Sequence, residues 1–320
     1  MFSLFCHFAI ALAHLNCFMS RRNFLKSAAL AAAVAGSAGT TQAASFIRDD
    51  LLPTISLGKF SLSRLIVGWN PIGGHSHFVP NLSKHMLEYY TPDRINEFLV
   101  DCEASGINTW QCLYSEKAVA ACQFLQKRQS RMKIITVISD FSRSLSLPRV
   151  IKETNCFALV HHGNRTDYLL RSGQNQRIKD FISISHDLGI QAGVASHCPE
   201  HIRMMDDEKW ENDFFMCSFY NVTRPDAEQQ KAVGNVVFGE PFFVSDPADM
   251  TGVIKGVSKP CLAFKILGAG RACYSPQSVD SAFQSAFENI KKTDAIIVGM
   301  YPKFFDEIRD NIRLTLKYGL

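Results

Sequence analysis

Eight short apolar runs separated by helix-length stretches constrain this chain more than any other feature. The runs are Leu65 to Gly68, Asn108 to Gln111, Lys133 to Ile138, Phe157 to His161, Gln191 to Ser196, Phe214 to Ser218, Cys261 to Ile266 and Ala295 to Gly299. Helices are expected near 92–105, 115–128, 147–154, 174–188, 199–208, 247–257, 277–291 and 303–317, with Thr91-Pro92-Asp93 and Asp246-Pro247 as starts because Pro fits the first turn of a helix. Alternation of this kind gives a parallel sheet covered by helices. Eight such units, preceded by a short hairpin over Ile55 to Ser63, close most naturally as a single α/β (β/α)8 TIM barrel of about 250 residues. An open doubly wound sheet is the alternative, but no Gly-x-Gly-x-x-Gly follows the first run. The connection from Tyr220 to Ser245 exceeds ordinary loop length and predicts a lid or active-site loop.

The barrel is expected over 54–320, after a leader at 1–44 and a polar linker at 45–53. Within the leader, 19–44 has the form of a twin-arginine signal peptide: Ser20-Arg21-Arg22-Asn23-Phe24-Leu25-Lys26, an Ala-rich run from Ser27 to Ala38, and small residues around Gln42-Ala43-Ala44. Residues 1–18, ahead of Met19, look like upstream reading from an early start codon. Export in folded form by the twin-arginine machinery, to the periplasm or another extracytoplasmic space, is therefore expected. No stable membrane span is expected after cleavage, because the apolar run falls short of the roughly 20 residues that cross a bilayer. A net charge of +4 with acids and bases interspersed gives no basic face, which excludes nucleic acid as a natural partner and leaves a small-molecule substrate. Eight of the ten cysteines lie beyond the leader without a CxxC pair, so no disulfide framework is assigned, and most sit in apolar stretches as buried thiols do.

Barrel chemistry gathers where strands end and βα loops begin. Those positions are Trp69-Asn70, Gln111-Cys112, Ser139-Asp140, His161-His162, Ser196-His197, Cys217, Lys265 and Met300-Tyr301, a polar, ligand-capable ring. Several motifs fall in order along 56–320: Ser63-Arg64-Leu65 with Gly68, Gly106-Ile107-Asn108, His161 after Leu159-Val160, Tyr220-Asn221, Ala263 with Leu267-Gly268 and Gly270, and Gly299 with Asp310-Asn311. Together they resemble the aldo/keto reductases, barrel oxidoreductases that use NADP(H).

The departures from that family fall on its chemistry. Where the resemblance calls for the catalytic Asp stands Gln111, where it calls for the Tyr stands Glu116, and the Ile138-Ser139-Asp140 region replaces the Lys, so His161 alone remains of the tetrad. The positions that the resemblance assigns to holding the nicotinamide carry Ser196-His197 and Cys217, Lys265 stands where it places a Ser of the seventh strand, and Glu307 stands where it places an Arg for the 2'-phosphate. A carboxylate repels a phosphate, which argues against ordinary NADP(H) binding. What remains for a cofactor is the Gly268-Ala269-Gly270-Arg271 turn, a candidate phosphate cradle, with Gly299 beside it.

Three chemical readings follow. His161, His197 and Cys217 end three neighbouring strands and offer a ligand set suited to zinc or another divalent ion, against the plainer reading of hydrogen-bonded core groups. Lys265 is a charge in an apolar strand, whose burial lowers its pKa toward a base or Schiff-base nucleophile; the plainer reading is a rim lysine gripping an anion. Glu200 and Asp213 are candidate acid/base groups. The expected enzyme therefore has His161, Lys265 and His197 as catalytic residues, and Trp69, Asn70, Gln111, Tyr220, Asn221 and Arg271 around a small carbonyl or sugar-like substrate. A reductase carrying tightly held NADP(H), and a ligand-binding barrel without catalysis, are the alternatives.

Overall fold

A computed structural model describes residues 51–139 and 146–320. The leader, most of the linker and Asp140 lie outside the described residues. An antiparallel hairpin, β1 (Thr54–Leu57) and β2 (Phe60–Ser63), precedes eight parallel strands: β3 (Leu65–Gly68), β4 (Thr109–Leu113), β5 (Lys133–Ile138), β6 (Ala158–His161), β7 (Gln191–Ser196), β8 (Phe214–Ser218), β9 (Cys261–Phe264) and β10 (Ala295–Gly299). Each pairs with the next, and β10 returns to β3, so the sheet closes into the expected barrel. Closure leaves no free strand edge among the eight.

The predicted outer helices are present as α2 (Pro92–Ala104), α3 (Glu116–Lys127), α4 (Leu147–Thr154), α6 (Asn175–Asp187), α7 (Pro199–Asp207), α9 (Asp246–Gly256), α10 (Pro276–Asn289) and α11 (Glu307–Tyr318). Three further helices were not foreseen: α1 (Pro80–Tyr89), α5 (Gly163–Arg171) and α8 (Asp226–Val233). All three lie in connections that follow a strand, and two bury almost nothing, Met86 alone in α1 and Gln229 alone in α8. A helix without an apolar stripe leaves no periodic signal in the sequence. Among the described residues, no helix is long and apolar enough to cross a membrane.

Two cores follow from the alternation of side chains along each strand. Outward-facing residues such as Val67, Trp110, Ile138, Val194 and Phe215 pack under the helices. Inward-facing Ile66, Ile135, Val137, Val160, Phe214, Met216 and Ile297 fill the barrel, and Ile55, Leu57 and Leu62 of the hairpin join them from below. Filling is tight enough to dictate one residue: a Cβ at Gly193 would stand 2.4 Å from the Phe214 ring. At the seam between first and last strands Arg64 is buried, and its guanidinium donates to the backbone carbonyls of Asp294, Gly319 and Lys291. One side chain thereby ties the barrel to the C-terminal helix and satisfies three buried carbonyls.

Candidate active site

Residues entering at the carboxyl ends of the strands build a cluster of imidazoles, one amine and two carboxylates. Its centre is Lys265, just beyond β9, whose backbone lies in the left-handed region at φ 60°. Non-glycine residues avoid that region, and here it lets the chain break from the strand's alternation. The amine Nζ lies 3.1 Å from His77 Nε2, and His77 Nδ1 lies 2.8 and 2.9 Å from the two carboxylate oxygens of Glu240. His77 is itself left-handed, at φ 53°. Burial, opposed by Glu240 and aided by Arg271, brings the Lys265 pKa down to about 8.

A second group shares a floor with the first. The Phe264 ring has Lys265 Nζ 5.6 Å from its centroid and the His197 ring 5.6 Å away edge-on. His197 hangs from Asp167, a fully buried residue of α5: the imidazole Nδ1 lies 3.0 Å from Oδ2, and the His197 backbone N–H donates to the same oxygen. Asp167 also accepts from Ser196 Oγ at 2.5 Å and from Thr223 Oγ1 at 2.9 Å, and lies 2.9 Å from His201 Nδ1. Burial pushes the Asp167 pKa up, but hydrogen bonds from His197, His201 and Ser196 with the His197 charge outweigh it, leaving the pKa below the usual aspartate value. An ionised carboxylate is acceptor-only, so both histidines carry their hydrogen on Nδ1. His197 Nε2 then has no partner among the described residues and keeps its lone pair. A cavity of about 440 Å³ opens beside it, lined by His197, His201, Glu200, Asn221, Arg224 and Asp249 among others.

Charge in the mouth is tuned toward neutral bases. Burial, then His197 and Lys265, bring the His162 pKa down to about 4; burial, then His77 and Lys265, lower His75. Burial also lowers His197 against the pull of Asp167.

The structure separates the residues expected to act together. His197 and Lys265 share the mouth, but His161 does not: it stands in register with Ile138 and Val194 on the outer face, with Nδ1 2.8 Å from Thr166 Oγ1 and its ring 5.3 Å from Phe181. Its neighbour His162 takes the inner position. Cys217 likewise stands in register with Ser196 and Ala263 and packs outward, where burial and Cys261 raise its pKa well above the ordinary value. A shared ion for His161, His197 and Cys217 is thereby overturned, because strand alternation points them to opposite sides of the sheet. Among the described residues, no three His, Cys, Asp or Glu side chains stand together as a metal site.

Of the expected substrate contacts, Trp69 is buried against Trp110 in the outer core, with ring centroids 6.1 Å apart, and does not line the mouth. Gln111 faces inward, in register with Ile135. Asn70 is half-buried, and its carbonyl accepts from the His75 N–H. Tyr220 stacks on Phe242, and Asn221 is buried at the cavity wall. Arg271 is committed: it donates to the carbonyls of His77 and Gly268, and its guanidinium lies 3.7 Å from the Phe242 ring centroid and 5.1 Å from that of Phe78. Of the two extra carboxylates, Glu200 accepts from the Cys198 thiol at the cavity, whereas Asp213 precedes β8, at the opposite end of the barrel, beside His186.

The residues considered for a nucleotide are largely engaged within the fold. The N–H groups of Gly268, Gly270, Arg271 and Ala272 donate within their own turn and are not turned outward toward a phosphate. A Cβ on Gly299 would stand 2.6 Å from Pro71 Cδ, so that glycine serves packing, and Glu307 accepts the Tyr301 N–H.

Sequence reasoning missed His77, Glu240 and Asp167, and it gave the catalytic role to His161 where His162, also at that strand end, faces the mouth. The 220–245 connection, singled out by its length, supplies Glu240 to this cluster. Nothing local distinguishes His77 or Asp167, whose partners lie 188 and 30 residues away.

No protein-family model matches the chain, and no curated protein matches it. Among solved structures it is similar to a glycerol dehydrogenase from Gluconobacter oxydans, with a TM-score of 0.47 and 10% identity over 83% of this chain and 90% of that one. It is also similar to an N-acetylmannosamine-6-phosphate 2-epimerase from Clostridium perfringens, with a TM-score of 0.44 and 12% identity over 78% of this chain and 91% of that one. Neither likeness assigns a chemistry to this chain.

Two expectations arise from the site. A Cβ on Gly163 would stand 2.7 Å from His197 Cε1 and 3.0 Å from Nδ1. Gly163→Ala will push the imidazole off Asp167 and lower turnover by about 10- to 100-fold, as a misplacement of about 1 Å of a catalytic group does, and will also lower the melting temperature because a partner of the buried Asp167 carboxylate is displaced. A normal rate would show that His197 is not placed for catalysis. His161 is the more acid-labile of the adjacent pair His161 and His162: burial, then His162 and neighbouring arginines, bring its pKa down to about 3, against about 4 for His162. Between that value and the roughly 6.5 of an unfolded histidine, only the unfolded chain binds the proton, so stability falls as pH drops through this window, by up to about 5 kcal/mol. His161→Phe will flatten that acid limb in melting curves from pH 7 to pH 3, and an unchanged limb would place the weakness elsewhere.

Proposed function

We propose that this protein is an enzyme acting on a small carbonyl or sugar-like compound by proton transfer at the barrel mouth. The observation that carries the reading is the pairing of two different bases over one aromatic floor, Lys265 and the Asp167-held His197, each 5.6 Å from the Phe264 ring centroid. A lysine that titrates near 8 is available as both acid and base at neutral pH, and an imidazole with a fixed tautomer presents its lone pair in one direction. Divergence from an aldo/keto reductase ancestor, with the Asp-Tyr-Lys-His tetrad lost, is supported by the ordered motifs from Ser63 to Asn311 and by the substitutions Gln111 and Glu116. Export to the periplasm by the twin-arginine route belongs to the same reading and is supported by Ser20 to Lys26.

The test is solvent exchange. Incubated in D2O with a panel of aldoses, ketoses and 2-keto acids, the protein will introduce deuterium next to the carbonyl of at least one of them, followed by NMR. His197→Asn will remove the activity. A panel without exchange or turnover would sink the proposal.

A further inference from the structure

We infer that Lys265 is a covalent nucleophile that forms an imine with an aldehyde or ketone, and that His77 and Glu240 are the pair that first takes its proton and then returns it to the leaving oxygen. The inference deepens the carbonyl reading above and rests on it for the substrate.

Three observations point this way. The first is the partner Lys265 lacks: no carboxylate forms an ion pair with it among the described residues, although a buried structural ammonium requires one. It meets an imidazole instead, and the Glu240 carboxylate is hydrogen-bonded to that imidazole and not to the amine. The second is the order of the three groups, gathered from the ends of β3, β8 and β9. Glu240 accepts through both oxygens, which fixes the His77 hydrogen on Nδ1 and leaves Nε2 bare toward the amine 3.1 Å away. The third is backbone: both Lys265 and His77 are held in left-handed conformations, at φ 60° and 53°, and strain of this kind persists where surrounding structure enforces it. Arg271, donating to the His77 carbonyl, supplies that enforcement.

The step balances without an outside oxidant or reductant. Lys265 passes a proton to His77 Nε2, giving a neutral amine and an imidazolium beside the Glu240 carboxylate. The amine lone pair attacks the carbonyl carbon, the C–N bond forms, and the C=O pair moves to oxygen, which takes the second amine hydrogen to give a carbinolamine. His77 then gives its proton to the hydroxyl, the C–O bond breaks, water leaves, and the nitrogen lone pair forms the C=N bond of a protonated imine. One carbonyl and one ammonium become one iminium and one water. The imine withdraws electrons from the neighbouring carbon, and His197, which shares the Phe264 ring with Lys265, is the base assigned to take its proton. Substrates with a C–H or a cleavable C–C bond next to the carbonyl are the class this chemistry serves.

The experiment reads the amine directly. Full-length protein is labelled at each pH from 6 to 10 with formaldehyde and cyanoborohydride, and the rate at every lysine is followed by peptide mass mapping. Lys265 is expected to label with a midpoint near 8, with His77, Glu240, Arg271, His75, His162 and His197 the charged and titratable groups around it. His77→Gln, which accepts a hydrogen bond but takes no proton, will slow labelling of Lys265 at pH 7 by about 100-fold, the usual contribution of a positioned acid–base group, and leave the surface lysines unchanged. Labelling of Lys265 that follows the surface lysines, or that is indifferent to His77→Gln, overturns the inference whatever the protein turns over. Dihydroxyacetone and pyruvate, trapped with borohydride, make the second arm, in which an adduct mass on Lys265 supports both proposals. Fast, His77-dependent formaldehyde labelling with no adduct from any larger carbonyl sinks the carbonyl-substrate reading and leaves the amine chemistry standing.

Discussion

Lys265→Met will abolish turnover, with a loss of at least about 10³-fold, while making the fold more stable. The two effects share one cause. In the folded state the Lys265 pKa is about 8, whereas an unfolded lysine titrates near 10.4. Below pH 8 both states hold the proton and the folded state carries the cost of a buried ammonium, up to about 3 kcal/mol. Between pH 8 and about 10.4 only the unfolded chain binds it, so wild-type stability rises with pH across that window. The methionine variant lacks the ammonium and will show no such rise. Thermal unfolding at pH 7 and pH 9.5, alongside the deuterium-exchange assay, measures both arms. A variant that keeps its rate, or melts below wild type at pH 7, would reduce Lys265 to a packing residue.

Asp167→Asn carries the opposite signature and will damage stability and rate together. The carboxylate accepts from Ser196, Thr223 and the His197 backbone, and it holds His197 and His201 through Nδ1. An amide has one acceptor oxygen and turns its NH2 toward donors on the other side, leaving buried hydrogen-bond partners facing each other without an acceptor. Removing one partner from a buried charged network costs about 3–5 kcal/mol, which lowers the melting temperature of a domain this size by roughly 10 °C. His197 is also free to turn or change tautomer, and the rate should fall by a further factor of about 10² to 10⁴. Calorimetry and imidazole 15N shifts check the two parts separately. A melting temperature within 2–3 °C of wild type, a change of about 1 kcal/mol, would show that the network does not depend on the charge.

The barrel was legible because its signal is repetitive. Eight apolar runs spaced by helix-length stretches admit few topologies, and strand bounds such as Lys133–Ile138 and Ala295–Gly299 follow from where apolar residues stop. The site was legible only where a residue violates its surroundings. Lys265 stands out as a charge in an apolar strand, and His197 as a polar residue at a strand end. His161 and Cys217 misled for a physical reason: a strand's last residues alternate between mouth and outer layer, and one position of register decides which. His161 has the apolar company of Phe181 and gave no warning, whereas His162 beside it holds the inner place. Partners supplied by connections, His77, Glu240 and Asp167, depend on how loops fold over the barrel, and no periodicity encodes that.

The hairpin seated beneath the strands gives the barrel a floor. With Leu57 and Leu62 packed among Ile66, Ile135 and Ile297, the described residues close the amino-terminal end, so the substrate and product of the proposed reaction would share the mouth at the other end. Under the proposed function, each cycle is a round trip through that mouth. The pace of a fast turnover belongs to the doorway as much as to the chemistry behind it.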